Sequence, residues 1–504
     1  MLALNVVTRP LRSLLRPLDY QQAAPPLFLW AEHAMARLFG VSEVALRVVP
    51  LLAGVGVLIL VWRLGIRLFD PATGAVAAAL ASVSPFLVYY SNEVKPYETD
   101  AFFAAAVLYA GLEAGSDTGG PRRLIALAVL GTIAVAASIP AAFVLAGVWT
   151  GLAVAPTFGR RPEDRRWLIL AGLGPATVFG LIYLFLYRRE ASSKFLLDYW
   201  SSRFPTLGRP DWLGIVWRAG GETIGDFCFG TALPAAVTLL MLGLLVAGLI
   251  PLTRRRGAWV TVALVGPVLI TMIASTLHRY PLEPRLLLFL APVLCLLLAG
   301  GMRAAAEVVG AGRTARVQAG LACTLLSWPA YGALRGLVYP FRPEDSRPVI
   351  NAVIGLVEPG QAIYISSQSL PAWLFYTTDW HAPDVSRIRR METPWAHVDP
   401  AAYRGWVELA GEWSGSSAGG PTRADPVPGW ADAEAARIRG AASCTWLVYT
   451  SYREAELVAL RAALDQLGAV PKAMLTREPL PWPPWPRVVT IEYCFPATNR
   501  DAAY

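Results

Sequence analysis

The sequence predicts a polytopic α-helical membrane protein of about ten spans plus interfacial helices, with a small α/β domain outside the membrane at its C-terminal end. Three observations carry this. Of the 504 residues, 55% are hydrophobic and only 16% charged, where soluble proteins average about a quarter charged. Between Glu43 and Arg335 the apolar residues gather into runs near the roughly 20 residues that cross a bilayer as helix. After Tyr339 no run is long enough to span, and Gly, Pro, Trp and charged residues become common.

The runs place spans at about 44–66, 73–90, 100–115, 124–138, 141–157, 167–187, 231–252, 258–276, 284–302 and 317–336. Arginines set their orientation. Arg63 and Arg67, Pro121–Arg123, Gly159–Arg166, Arg254–Arg256, and Arg303, Arg313 and Arg316 follow alternate spans and fall on one side. The positive-inside rule makes that side the cytoplasm. The other side receives "SNEVKPYET", the loop 188–230, "HRYPLEPR" and everything after about Tyr339. The net charge of +8 thus reflects membrane topology, not a nucleic-acid partner. Arg303 and Glu307 read as topological only, and Cys295 and Cys323, both in apolar runs, as core residues.

Residues 25–40, "PPLFLWAEHAMARLFG", are apolar but too short to span and contain Glu32, His33 and Arg37. An amphipathic helix in the membrane interface fits them, opened by prolines whose missing N–H groups need no partner there. The domain reading is therefore an outer loop with interfacial helices over 1–43, a transmembrane domain over 44–338 and a periplasmic α/β domain over 339–504. In the last, Gln361–Gln368, Cys444–Thr450 and Arg487–Phe495 predict strands, and Arg453–Gly468 a helix. Segment 412–431 reads as a loop, and "PWPPWP" (Pro481–Pro486) as a rigid connection between strands rather than a polyproline ligand. Cys444 and Cys494 lie in separate predicted strands and could pair in an oxidising compartment; two unpaired cysteines fit equally.

This topology leaves the N-terminus outside, with no preceding span or signal segment to carry it there and with Arg9, Arg12 and Arg16 on the wrong side. Either the topology is inverted or an upstream span is missing from the sequence.

Three segments in order, Leu18–Val55, "SPFLVYYSNEVKPYETDAFFA" (Ser84–Ala104) and "HRYPLEPRLLLFLAP" (His278–Pro292), resemble the GT-C class of membrane glycosyltransferases. Bacterial members near the lipid A aminoarabinose transferases and protein O-mannosyltransferases are the most similar. The resemblance implies a polyprenyl-phosphate-linked sugar donor, a lipid, glycan or protein acceptor at the periplasmic face, and inversion at the anomeric carbon. It also favours the missing upstream span. Relatives carry a first acid, often Asp-Glu, just before a helix like "MLALNVVTR", and that acid has no counterpart here. Their second acid matches Asp100.

Inverting transfer needs a base on the face opposite the leaving group and cations or dipoles at the leaving phosphate. A lipid phosphate lies at headgroup level, so polar groups at outer span ends are the candidates. Asp100 and Glu93 are the candidate catalytic acids, and Lys95, Arg279 and Arg285 the candidate phosphate ligands. Gln22, His278 and Tyr280 are candidates for substrate contact. A helix cap at Asp100, arginines snorkelling to headgroups and a structural histidine are the plainer alternatives. The aromatic and charged loop 188–230, with Trp200, Arg203, Glu222 and Asp226, suits an acceptor lid and an interfacial Trp belt equally. No cofactor is called for with certainty, and paired acids leave a divalent cation open. Two rivals remain. A lipid or glycan flippase would place its ionisable groups near the bilayer midplane, and an inactive relative would have lost catalysis.

Overall fold

The computed structural model describes residues 1–116, 120–159, 162–188, 191–310, 313–339, 346–391, 401–412, 414, 426–450, 454–477 and 488–496. The tract Pro481–Pro486 and most of the 412–431 segment lie outside these residues.

Helices occupy all ten predicted segments. Five of them are long and apolar enough to cross a membrane: Glu43–Leu68, Arg165–Tyr187, Ala235–Arg256, Ala258–Thr276 and Pro284–Val309. The remainder fall below that length, hydropathy or freedom from charge. One predicted span, 73–90, is two helices, α4 (Pro71–Val83) and α5 (Pro85–Tyr90). Pro85 cannot donate to the preceding turn, and Ser84 caps α5 while its hydroxyl donates to the Phe227 carbonyl at 2.8 Å. The 231–252 segment becomes Ala235–Arg256, because Pro234 delays its start and three arginines extend its last turn, where cations oppose the helix dipole favourably.

The arginine-rich end of the bundle is more than a topological signal. Arg67 of the Glu43–Leu68 helix (α3) and Arg123 of the Pro121–Ala137 helix (α7) both pair with Glu113, at 3.0 and 3.1 Å. Arg303 bridges Asp70 and Glu307, and Arg255 also reaches Glu307. These pairs involve five helices at one end: α3, α7, the Tyr97–Ala114 helix that carries Glu113, the Ala235–Arg256 helix and the Ala291–Val309 helix. Close helix contacts come from small residues: a Cβ on Gly301 would meet the Leu244 carbonyl at 2.0 Å, and one on Gly65 would meet Gly74 at 2.4 Å. Such backbone approach is the usual device of membrane helix packing. Cys295 is buried as expected, whereas Cys323 is exposed on the bundle's outer surface.

The C-terminal part holds a six-stranded mixed sheet in the order β2-β3-β1-β4-β6-β5, where the sequence alone shows three strands. The strands are β1 (Ala362–Ile365), β2 (Ala401–Tyr403), β3 (Trp406–Ala410), β4 (Cys444–Tyr449), β5 (Val470–Arg477) and β6 (Val488–Cys494). β3, β1 and β4 run parallel, while β2, β6 and β5 join antiparallel. β5 escapes sequence reading because Pro471 and Lys472 look unlike a strand; it is an edge strand with a register shift between Pro471 and Ala473, where Pro is tolerated. Cys444 and Cys494 face each other across β4 and β6 and form a disulfide.

The first 20 residues do more than lie in an interface. Helix α1 (Leu2–Thr8) and the turns after it join two cores. Leu4 and Tyr20 pack with Ile350, Trp373 and Trp446 of the C-terminal part. Leu2, Val6 and Leu14 pack with Phe28 and Leu29 of α2 (Pro26–Phe39). Tyr376 donates to Glu43 at the start of α3, and Arg347 lies 3.9 Å from the same carboxylate. α2 also buries Glu32, whose oxygens have no partner among the described residues; burial raises this carboxyl to about 8.

Candidate functional site

After α5 the chain turns tightly, with Asn92 N–H donating to the Tyr89 carbonyl and Lys95 N–H to the Glu93 carbonyl at 2.7 Å. Pro96 then opens helix α6 (Tyr97–Ala114). This geometry lifts Glu93 and Lys95 to one end of the bundle and sets Asp100 in the first turn of α6. Asp100 is 6% exposed. Ser138 lies beside it, and its Oδ1 has no partner among the described residues. Glu98 and Thr99 beside it also hold buried polar atoms without partners among the described residues. Glu98 turns the other way, toward Gly54 of α3. Unpaired buried polar atoms each cost on the order of 1–3 kcal/mol, so three in a row mark a place not built for stability.

Lys95 donates to Gln22 Oε1 at 2.6 Å, which joins two predicted site residues far apart in sequence. Burial pushes the Lys95 ammonium down to about 8, and the neighbouring Arg285 guanidinium adds to this against the opposing pull of Glu93. Arg285 enters from the 3-10 turn Pro284–Leu290. Its Nε lies 3.7 Å from Glu283 and has no hydrogen-bond partner among the described residues, and the Trp200 ring lies 5.2 Å beneath the guanidinium. Two cations therefore stand together with incomplete counter-charge, which is the electrostatic condition for holding an anion.

The other sequence candidates have different surroundings. Tyr280 is buried, donates to the Leu286 carbonyl at 2.7 Å and packs edge-on to Phe143, so it holds the Arg285 turn in place. His278 has a positive φ of 56° and pairs with the Thr206 hydroxyl at 3.1 Å. Arg279 is exposed at the rim and donates to the Ala191 carbonyl at 3.3 Å. Tyr280, His278 and Arg279 line the same chamber as Gln22, Glu93, Lys95, Asp100 and Arg285, of about 3090 Å³, between these helix ends and the C-terminal part.

Arg203, Glu222 and Asp226, which the sequence offered only as part of a lid or a Trp belt, join Glu283 in a further cluster on the chamber wall. Arg203 pairs with Glu222 and, at 3.0 Å, with Glu283, and so holds the carboxylate that faces Arg285. Asp226 beside them is raised to about 7 by burial and by Glu222 and Glu283, against the pull of Arg203. No spacing signals this set, since its members come from three separate segments of the fold. The only hint was the mixture of aromatic and charged residues in the loop 188–230.

Residues 23–183 match the sequence profile of the family described as dolichyl-phosphate-mannose-protein mannosyltransferase. The chain superposes on the crystal structure of ArnT from Cupriavidus metallidurans in the apo state with a TM-score of 0.52 at 12% identity, covering 97% of this chain and 93% of that one. The same protein bound to undecaprenyl phosphate gives 0.50 at 13% identity, covering 97% and 92%. The chain has the GT-C membrane glycosyltransferase fold. No curated protein matches it in sequence. The matched 23–183 stretch contains Glu93, Lys95 and Asp100, while Arg279 and Arg285 lie beyond it. Among the described residues, the one group of three close metal-type ligands is Cys444, Glu492 and Cys494. Its sulfurs are bonded to each other, so it does not suit a cation.

Proposed function

We propose that this GT-C chain is an inverting glycosyltransferase that moves a sugar from a polyprenyl-phosphate donor to an acceptor at the extracytoplasmic face of a bacterial inner membrane. The observation that carries the reading is the pairing of Lys95 and Arg285 beside buried Asp100 on one chamber wall. The similar ArnT structure bound to undecaprenyl phosphate supports the donor class. The Cys444–Cys494 disulfide supports an oxidising compartment for the C-terminal domain. All ten helical segments would then cross the membrane.

In this reading Lys95 and Arg285 hold the donor phosphate. The bond from the anomeric carbon to the phosphate oxygen breaks, and its electron pair leaves with the phosphate. The two cations oppose the charge that develops there. The acceptor hydroxyl attacks the anomeric carbon from the opposite face, and its proton passes to a carboxylate, Asp100 or Glu93. A divalent cation would take hard oxygen ligands from the same two residues.

Asp100→Asn tests the assignment. Transfer of label from polyprenyl-phosphate sugars extracted with the membranes is expected to fall by about 10²–10⁴-fold, with expression and melting unchanged. Full transfer by this variant would overturn the role of Asp100.

A further inference from the structure

Residues 1–22 form an arm between the two parts of the molecule, and the arm ends on Lys95. Its turns are clasped to its helix. Buried Asn5, on α1, accepts from the Asp19 N–H at 2.9 Å and donates to the Asp19 carbonyl at 3.3 Å. Arg9 pairs with the Asp19 carboxylate at 2.6 Å and donates to the Pro17 carbonyl at 2.9 Å. Helix α1 and the turn Asp19–Gln21 are thereby fixed to each other.

Tyr20, within that turn, has a left-handed backbone with φ 60°. Such a conformation is uncommon for a bulky residue and persists only where the surroundings impose it. Here they do. The Asn5 clasp holds the residue before it, and Tyr20 itself is buried in the core that holds Ile350, Trp373 and Trp446 of the C-terminal domain. Past this bend, Gln22 lines the chamber. Gln22 Nε2 donates to the Tyr20 carbonyl at 3.1 Å, which leaves its Oε1 to accept from Lys95 Nζ at 2.6 Å. One short path therefore runs from the C-terminal domain through Tyr20 and Gln22 to Lys95.

We propose that Gln22 is a positioning residue for Lys95, and that through Tyr20 the docked C-terminal domain holds this lysine in place for the donor phosphate. The inference rests on the glycosyltransferase reading, in which Lys95 holds the donor phosphate, and adds what sets that lysine and which domain controls it. A lysine ends a long flexible stem and loses much freedom when a ligand fixes it. A partner that fixes it beforehand lowers the cost of binding. The chemical type of that partner matters as well. A carboxylate in the place of Gln22 would offset the ammonium charge that a phosphate needs. An amide accepts the hydrogen bond, carries no charge, and leaves the ammonium further N–H groups to offer the phosphate.

The test measures undecaprenyl phosphate binding to the full-length protein in nanodiscs, together with the phosphorus NMR shift of the bound lipid. Gln22→Leu is expected to bind about tenfold more weakly than wild type and to move the phosphorus shift. Gln22→Glu, of the same size, is expected to bind at least as weakly as Gln22→Leu. Tyr20→Gly keeps a residue suited to the left-handed turn but removes the ring from the C-terminal core; it should weaken binding and move the shift in the same direction as Gln22→Leu. Beside Lys95→Met, neither Gln22→Leu nor Tyr20→Gly should cost anything further, because both act through the lysine. The Gln22 variants, on the chamber wall, serve if Tyr20→Gly does not fold. Wild-type binding by Gln22→Leu, or a loss that persists in full beside Lys95→Met, overturns the positioning role. Wild-type binding by Tyr20→Gly overturns the control by the C-terminal domain. Undiminished binding by Lys95→Met alone, or no binding by the wild-type protein, is a different failure, that of the donor reading, and removes the inference with it.

Discussion

Arg387 in the C-terminal domain and Arg285 on the chamber wall are both arginines beside a glutamate, and their surroundings differ at every contact. Arg387 and Glu408 are each about 1% exposed and meet through two parallel bonds, of 2.6 and 2.8 Å. Trp373 donates to the same carboxylate at 2.8 Å, Thr377 accepts from the guanidinium at 2.7 Å, and the Tyr403 ring lies 3.8 Å beneath it. Arg285 keeps 35% of its side chain exposed, and its Nε stands 3.7 Å from Glu283 without a hydrogen bond among the described residues. A buried ion pair endures when the remaining hydrogen bonds are also made. The first pair satisfies that condition and holds a domain together. The second leaves it open, as a site must if a ligand is to complete it.

The comparison can be broken most directly at Glu408. Glu408→Ala should leave the Arg387 charge buried and unpaired and cost about 3–5 kcal/mol. Hydrogen exchange of the β1 and β3 amides in the full-length protein would read the loss. A small change there would show that the two arginines are not opposite cases. Next in size, Cys494→Ser removes a disulfide that closes a separation of 50 residues, and should cost roughly 2–4 kcal/mol in the same measurement, with donor binding intact.

On the chamber side, Arg285→Met should leave melting within about 1 kcal/mol, because it removes an incompletely paired charge. It should weaken undecaprenyl phosphate binding by about 10–150-fold, the worth of a charge-assisted hydrogen bond. A fall in melting like that of Glu408→Ala, with binding unchanged, would reverse the assignment of roles.

The smallest effect is a pH signature at Lys95. Its folded value of about 8 lies below its ordinary 10.5, so the unfolded chain binds more protons between those values. Stability should therefore rise with pH across that window. Donor affinity should fall over the same range as Lys95 loses its charge. Lys95→Arg should hold affinity to higher pH, because a guanidinium does not lose its proton there. Parallel pH profiles for stability and affinity would rule out Lys95 as a phosphate ligand.

Much of this was legible in one dimension. All ten helical segments, three strands of the sheet and the polar cluster around Asp100 stand out because hydropathy and strand propensity are local properties. The break at Ser84–Pro85 was written in the sequence as well, but the longer apolar run hid it. The short strands β2 and β3 and the proline-bearing β5 carry too weak a local pattern to declare themselves. Glu408 illustrates the limit: a charged residue in a five-residue strand reads as solvent-facing until Arg387 and Trp373 arrive from elsewhere.

What the sequence determined alone was a chain of apolar helices with its uncommon charges at their ends, because a bilayer-length apolar run has few other stable fates. Tertiary structure alone decided which charges meet. It drew Gln22, Lys95 and Arg285 together and packed the first 20 residues onto the C-terminal domain. Contacts between distant residues depend on helix packing and sheet order. No spacing along the chain encodes them, and the physical reason is that each partner is brought by a separate element whose position the whole fold sets.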